Sequence, residues 1–325
     1  VIWERAVAEN AWQLDDGLYR ILLPLPFAVS FVNVYVLASR GEYVLVDAGI
    51  DWLPSLRALG AALKVIGVPP RGLTALLLTH LHPDHGGGAA SVQSRWGGRV
   101  LLHPAERGQF GGGPTNDGQA WLAENGVDEA VVRQAATTRE RPAPQPREIE
   151  DLADDQPFRV GDLSFDVILV PGHSPGQVML REPERGWLLS ADHVIPVHAV
   201  NVWSFPGAKG DPFGEYLASL ERTIDLPASL VLPSHGLPWR GNARPATQAM
   251  IDYHLVFLDR VRRLVSEKPM TAWEIARALR PEIPSDPAGI RFSLAEVLAA
   301  LTHLERRGDA LRTADGRWEQ VTVRR

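Results

Sequence analysis

Cysteine is absent from the 325-residue chain. That excludes disulfides, zinc ribbons, iron–sulfur clusters and cysteine nucleophiles, so any metal must be held by histidine and carboxylates. Also missing is an apolar run approaching the roughly 20 residues that span a bilayer. The opening stretch "VIWERAVAEN" lacks the basic-then-apolar layout of a signal peptide. Together these absences predict a cytoplasmic protein with no membrane association. There is no excess of basic charge either: the net charge of −6 offers no general affinity for nucleic acid. No period of 20 to 50 residues repeats, which excludes a solenoid or propeller.

What is present is a loop-rich globular composition, with 45% hydrophobic residues, 29 glycines and 26 prolines. The length suits one large domain plus a small one. Strands are expected at 31–39, 42–49, 75–80, 99–104, 163–173, 186–193 and 229–236. Several are unbroken Leu/Val/Ile runs, as in strands covered on both faces. Helices are expected at 53–66, 87–96, 118–135 and 213–224, which makes the whole an α/β layered architecture.

Residues 104–157 have the composition of an insertion: "GQFGGGPTNDG", a helical stretch, then the Pro-rich "RPAPQP". The segment holds 11 acidic residues against 5 basic ones. It is either a solvated surface loop or a lid beside a site. From about residue 245 the pattern turns to helices over 251–267, 271–280 and 293–308. Ser293 and Glu296 have the spacing of a capping box at the head of the last one. Two short strands around Asp315–Gly316 follow. Helix, helix, helix, wing is the outline of a winged-helix domain, giving domains at 1–244 and 245–325.

The chemistry begins at "THLHPDHGGG" (79–88), where His80, His82, Asp84 and His85 crowd into six positions after an apolar run. Neutral imidazole and carboxylate suit borderline divalent ions such as zinc. Four donors are too many for one catalytic ion, which usually takes three protein ligands and keeps a position open, so the spacing suggests two ions. Three later donors also follow apolar runs: His173 in "VPGHSPGQ", Asp192 in "LLSADHV" and His235 in "LPSHG". Functional groups gather at the carboxyl ends of strands in α/β sheets, so this set can converge on one edge. The glycines 86–88 let the next helix start close to the site.

The ordered pattern HxHxDH…H…D…H, with "VLVDAG" at 44–49, resembles the metallo-β-lactamase superfamily over roughly residues 17–240. The resemblance implies a four-layer αββα sandwich. It places one ion on His80, His82 and His173, a second on Asp84, His85 and His235, and Asp192 between them. Asp47 would stand behind one ligand and orient it, or else merely cap its own turn. The cofactor implied is a pair of divalent cations, zinc first, with iron or manganese accepted by the same donors. Such a pair lowers the pKa of a shared water and makes a hydrolase, with Asp84 and Asp192 as its working carboxylates.

Five histidines fall outside the set: His103, His193, His198, His254 and His303. His193 and His198 follow the bridging position and either line the pocket or serve the structure. His254 and His303 belong to helices, at the surface or between domains. The tail and the stretches 23–37 and 211–227 resemble a glyoxalase II-like subgroup that carries a β-lactamase-associated winged helix. That favours a small-molecule thioester, ester or lactone, with cleavage of nucleic-acid phosphodiesters as the alternative. A ligand-sensing DNA-binding regulator is the reading from another class. The tail from residue 245 carries 13 basic and 11 acidic residues, which favours packing or a homodimer contact over nucleic acid. Arg20, Lys209 and Arg240 are candidates to meet the carboxylates of a glutathione conjugate.

Overall fold

In the computed structural model, residues 5–109, 117–135, 144–154, 156–196, 200–282 and 287–321 are described. The first sheet has eight strands in chain order: β1 (Arg5–Ala8), β2 (Ala11–Asp15), β3 (Leu18–Pro24), β4 (Phe31–Ser39), β5 (Glu42–Val46), β6 (Ala75–Leu78), β7 (Arg99–Leu102) and β8 (Ile149–Asp151). β1 to β5 form an antiparallel meander, and β5 to β8 pair in parallel. Parallel neighbours need crossovers, supplied by α1 (Leu53–Ile66) between β5 and β6 and α2 (Ala89–Trp96) between β6 and β7.

The second sheet runs β14–β13–β12–β11–β10–β9, from β9 (Phe158–Val160), β10 (Leu163–Leu169), β11 (Val178–Glu182), β12 (Trp187–Ala191), β13 (Leu230–Pro233) and β14 (Trp239–Arg240). Only β12 and β13 pair in parallel there.

The period of two in the strands explains the layering. In β6, Ala75 and Leu77 face the second sheet, meeting Phe165, Leu180, Leu189 and Leu232 in one core. Leu76 and Leu78 point the other way, into a core with Leu59 and Leu63 of α1 and Val92 of α2. A fully buried four-residue strand between two cores reads as an unbroken apolar run. The outer face of the second sheet carries a smaller cluster of Val170, Met179, Leu188, Val231 and Ala243.

The chain divides into two compact units whose segments alternate along the sequence: 1–111, 142–200 and 223–247 in one, and 112–141, 201–222 and 248–325 in the other. The second unit contains α3 (Asp117–Glu124) and α4 (Glu129–Ala135), with most of α5 (Pro212–Thr223) and α6 (Arg244–Glu267). It also holds α7 (Ala272–Leu279), α8 (Pro287–Arg306) and the hairpin of β15 (Ala310–Arg312) and β16 (Trp318–Gln320). No helix among the described residues is long and apolar enough to cross a membrane.

Four expectations are corrected. The single helix over 118–135 is two, broken by the left-handed Gly126. The acidic end of the presumed insertion is not loop: Ile149–Asp151 is the edge strand β8, with Ile149 opposite Val100. Of the rest of that segment, 110–116, 136–143 and 155 lie outside the described residues. α6 starts at Arg244 rather than 251, because a proline in the first turn of a helix costs no hydrogen bond. The capping box is not Ser293/Glu296: α8 begins at Pro287, and both residues are buried inside it, with Glu296 Oε2 2.7 Å from Arg280 Nη1. The same motif works at Thr271/Glu274, where it opens α7.

Candidate metal centre

Parallel pairing of β5 with β6 puts Val46 opposite Leu77, so Asp47 and the Thr79–His80 pair leave the sheet side by side. Asp47 sits in the left-handed region at φ 65°, which Asp tolerates better than most residues. There its carboxylate accepts from Thr79 N–H at 2.8 Å and from Thr79 Oγ1 at 2.9 Å. Its Oδ2 is also 2.9 Å from His85 Nδ1. The turn 82–86 closes with His85 and Gly86 N–H both donating to His82 O, which returns His85 beneath His80. A Cβ on Gly88 would lie 2.7 Å from Ala48 O, so the glycine run does allow a close approach of backbone to backbone.

The second sheet contributes the other donors. β12 and β13 run in parallel with a register shift between Leu189 and Ala191, and Ala191 has φ 49°. This irregularity costs an alanine about 1–2 kcal/mol and directs Asp192 into the site. His235 follows β13, and His173 lies in the turn between β10 and β11.

The seven donors converge. Three overlapping groups have ligand atoms mutually within 4.8 Å: His80–His82–His173, His80–His85–Asp192 and Asp84–His85–His235. Asp192 Oδ2 is 3.4 Å from His85 Nε2, 3.4 Å from His173 Nε2 and 3.6 Å from His235 Nε2. Asp84 Oδ2 is 3.3 Å from His235 Nε2 and 3.6 Å from His85 Nε2.

Burial, then the neighbouring His85, holds His80 well below the ordinary imidazole pKa. Burial, then His173, takes His82 down to about 3. Burial opposes charge on Asp84, but His85 and His235 prevail and bring it down to about 2. Asp192 is lowered for the same reasons, with His85 and His235 outweighing its burial. His85 moves the other way: Asp192 and Asp84 outweigh burial and raise it well above its usual value. His235 is also raised, Asp192 leading against burial.

The donor set fits divalent cations. Neutral imidazoles and ionised carboxylates are the forms that ligate, and Asp192 Oδ1 and His85 Nε2 are buried with no hydrogen-bond partner.

A family model, the metallo-β-lactamase superfamily, matches residues 28–235. The chain belongs to the metallo-β-lactamase superfamily. Within this superfamily it is similar to the probable metallo-hydrolase YqjP of Bacillus subtilis (strain 168), at 27% identity over 82% of this chain and 86% of that one. It is also similar to the acyl-coenzyme A thioesterase MBLAC2 of Gallus gallus, at 27% identity over 68% of this chain and 78% of the relative. Among solved structures, a metallo-β-lactamase family protein from Thermus thermophilus superimposes with a TM-score of 0.83 at 29% identity, covering 95% of this chain and 100% of that one. The chain is a metallo-hydrolase of this superfamily.

Other expected residues fall elsewhere. His193 is fully buried with Nε2 2.9 Å from Thr223 Oγ1, anchoring the turn after Asp192 to the end of α5. His198 lies outside the described residues. His254 and His303 are buried in the second unit, His303 against Asp211 at 2.7 Å and His254 against the rings of Phe213 and Tyr216. Arg20 does not meet solvent: it is buried, donates to Asn33 Oδ1 at 2.9 Å and stacks over Trp12.

Sequence reasoning missed Asn33. Its amide donates to the carbonyls of Pro233 and Gly236, each at 2.8 Å, and Tyr35 Oη donates to Pro233 O at 2.7 Å. These bonds fix the turn that carries His235, whose Nδ1 is 3.1 Å from Phe31 O. A polar residue at 33 inside the apolar strand 31–39 was the available signal.

Proposed function

We propose that this metallo-hydrolase is dinuclear and cleaves a thioester, ester or lactone of a small molecule, a thioester first. His80, His82 and His173 would hold one cation, Asp84, His85 and His235 the other, and Asp192 both. The observation that carries the two-ion reading is the single oxygen Asp192 Oδ2. It stands within 3.4–3.6 Å of histidines from both triads. Two divalent cations, zinc or alternatively iron or manganese, would supply Lewis acidity and lower the pKa of a water between them.

The chain's own groups set the rest. Asp47 holds His85 in the tautomer that leaves Nε2 free to ligate. Asp84 has a side chain 20% exposed against 10% for Asp192, so it is the carboxylate placed to exchange a proton with a departing group. The likeness to an acyl-coenzyme A thioesterase at 27% identity supports the thioester choice.

The order α6–α7–α8–hairpin supports a winged-helix tail that packs, or joins two copies, rather than gripping nucleic acid. The test is a panel of acyl thioesters, lactones and phosphodiesters offered to the zinc-loaded protein and to Asp84→Ala. The expected result is thioester turnover lost in the variant. A gain confined to phosphodiesters would overturn the choice, and a rate no better than free metal would favour a ligand sensor.

A further inference from the structure

We propose that Glu106 is a positioning residue: it clamps the loop of His80 and His82 to the loop of His173, and so sets the affinity of the ion those three histidines would hold. The inference rests on the two-ion reading above but not on the choice of substrate.

Glu106 lies in the 3-10 turn Pro104–Gln109 after β7 and is completely buried. It belongs to none of the three donor groups. Its Oε2 accepts the N–H of Leu81 at 2.9 Å, and its Oε1 accepts the N–H of Gly176 at 2.6 Å. Leu81 is the residue between His80 and His82, and Gly176 lies three residues beyond His173. One carboxylate therefore joins two segments 95 positions apart, and those segments carry one complete triad.

A buried carboxylate is costly unless it is hydrogen-bonded or paired. Among the described residues no lysine or arginine forms an ion pair with Glu106, and the N–H groups of Leu81 and Gly176 help to offset its burial. The chemistry of the contact is specific. Each oxygen takes one N–H, so a glutamine would turn its own NH2 towards one of the two donors, and an aspartate is one methylene too short.

The packing is equally tight. A Cβ on Gly176 would lie 2.9 Å from both Cγ and N of Glu106 and 3.0 Å from Nδ1 of His103. The other triad has separate supports, Asp47 behind His85 and the Phe31 carbonyl behind His235. Loss of the clamp should therefore be felt by one ion only.

The test titrates metal-free wild type, Glu106→Gln and Gly176→Ala with zinc against a chromophoric chelator, with circular dichroism and thermal midpoints recorded alongside. Wild type should bind two ions. E106Q should bind one as tightly as wild type and the other about ten- to a hundredfold more weakly. In a His235→Ala background E106Q should weaken the remaining ion, and in a His82→Ala background it should not. G176A keeps the carboxylate but forces the two segments apart, so it should reproduce the selective loss. If E106Q does not fold, G176A decides by the same criterion. Two wild-type affinities in the variant, or equal weakening of both ions, would overturn the clamp. A wild type that binds fewer than two ions would remove the two-ion reading and the clamp with it.

Discussion

Asp47 Oδ2 lies 2.9 Å from Nδ1 of His85, and that contact turns the other ring nitrogen towards Asp84 and Asp192. The same carboxylate takes the N–H and hydroxyl of Thr79, the residue before His80. Asp47 thus joins the ends of two adjacent parallel strands and holds the ring of His85. The bland alternative, an aspartate that caps only its own turn, does not describe these contacts.

Asp47→Asn is the informative change, because Asn also tolerates the left-handed backbone that Asp47 adopts at φ 65°. It keeps one acceptor and removes the charge behind His85. The affinity for the ion at Asp84–His85–His235 should fall about ten- to a hundredfold, measured by chelator competition. An unchanged affinity would reduce Asp47 to a turn residue.

Asp192→Asn should act on both ions at once. Its Oδ2 stands near His85 and His235 of one triad and His173 of the other, and its Oδ1 has no protein partner. Metal content should drop at both positions and hydrolysis by about a hundredfold or more. If the variant retained two tightly bound ions, Asp192 would not be the shared ligand.

The first sheet's parallel half and the convergence of the seven candidate donors were readable because burial on two faces leaves continuous apolar runs and because the candidates follow such runs. β6, "ALLL", followed by Thr79 and His80, is the plainest case. What escaped was held by backbone partners. Glu106 and Asn33 act on amides and carbonyls of other loops, and no spacing in the sequence marks a side chain's contact with distant backbone. The two capping-box patterns show a related limit. Ser293/Glu296 and Thr271/Glu274 have the same spacing, but only the second coincides with a helix start. What decided between them is tertiary: Glu296 is needed inside, against Arg280.

Thr271→Ala tests that real cap. Thr271 Oγ1 accepts Glu274 N–H at 3.1 Å, and Glu274 Oε2 accepts Thr271 N–H at 2.8 Å. Losing the hydroxyl should cost about 1 kcal/mol, within a range of roughly 0.5–2. Thr271→Ser should recover most of it, and zinc affinity should not move. Chemical denaturation gives the answer, and equal stability of T271A and wild type would deny the cap any weight.

Acidification should release the two ions in order. Ligation needs a neutral imidazole, so a proton competes with the cation wherever the folded, metal-free protein holds one. Asp192 and Asp84 raise His85 well above its ordinary pKa, and Asp192 leads in raising His235. Across the range below and around neutrality these two rings therefore carry protons that a cation must displace. His80 is held well below its ordinary pKa, and His82 falls to about 3, first by burial and then by neighbouring imidazoles, so around neutrality neither offers a proton to displace. The sign follows: the ion at Asp84–His85–His235 weakens first as pH falls, and the ion at His80–His82–His173 persists. Equilibrium dialysis from about pH 8 to about pH 5.5 should show one ion lost before the other. In His82→Ala the persistent ion should be the one missing. Loss of both with a single midpoint, or release of the His80–His82–His173 ion first, would contradict this electrostatic account of the site.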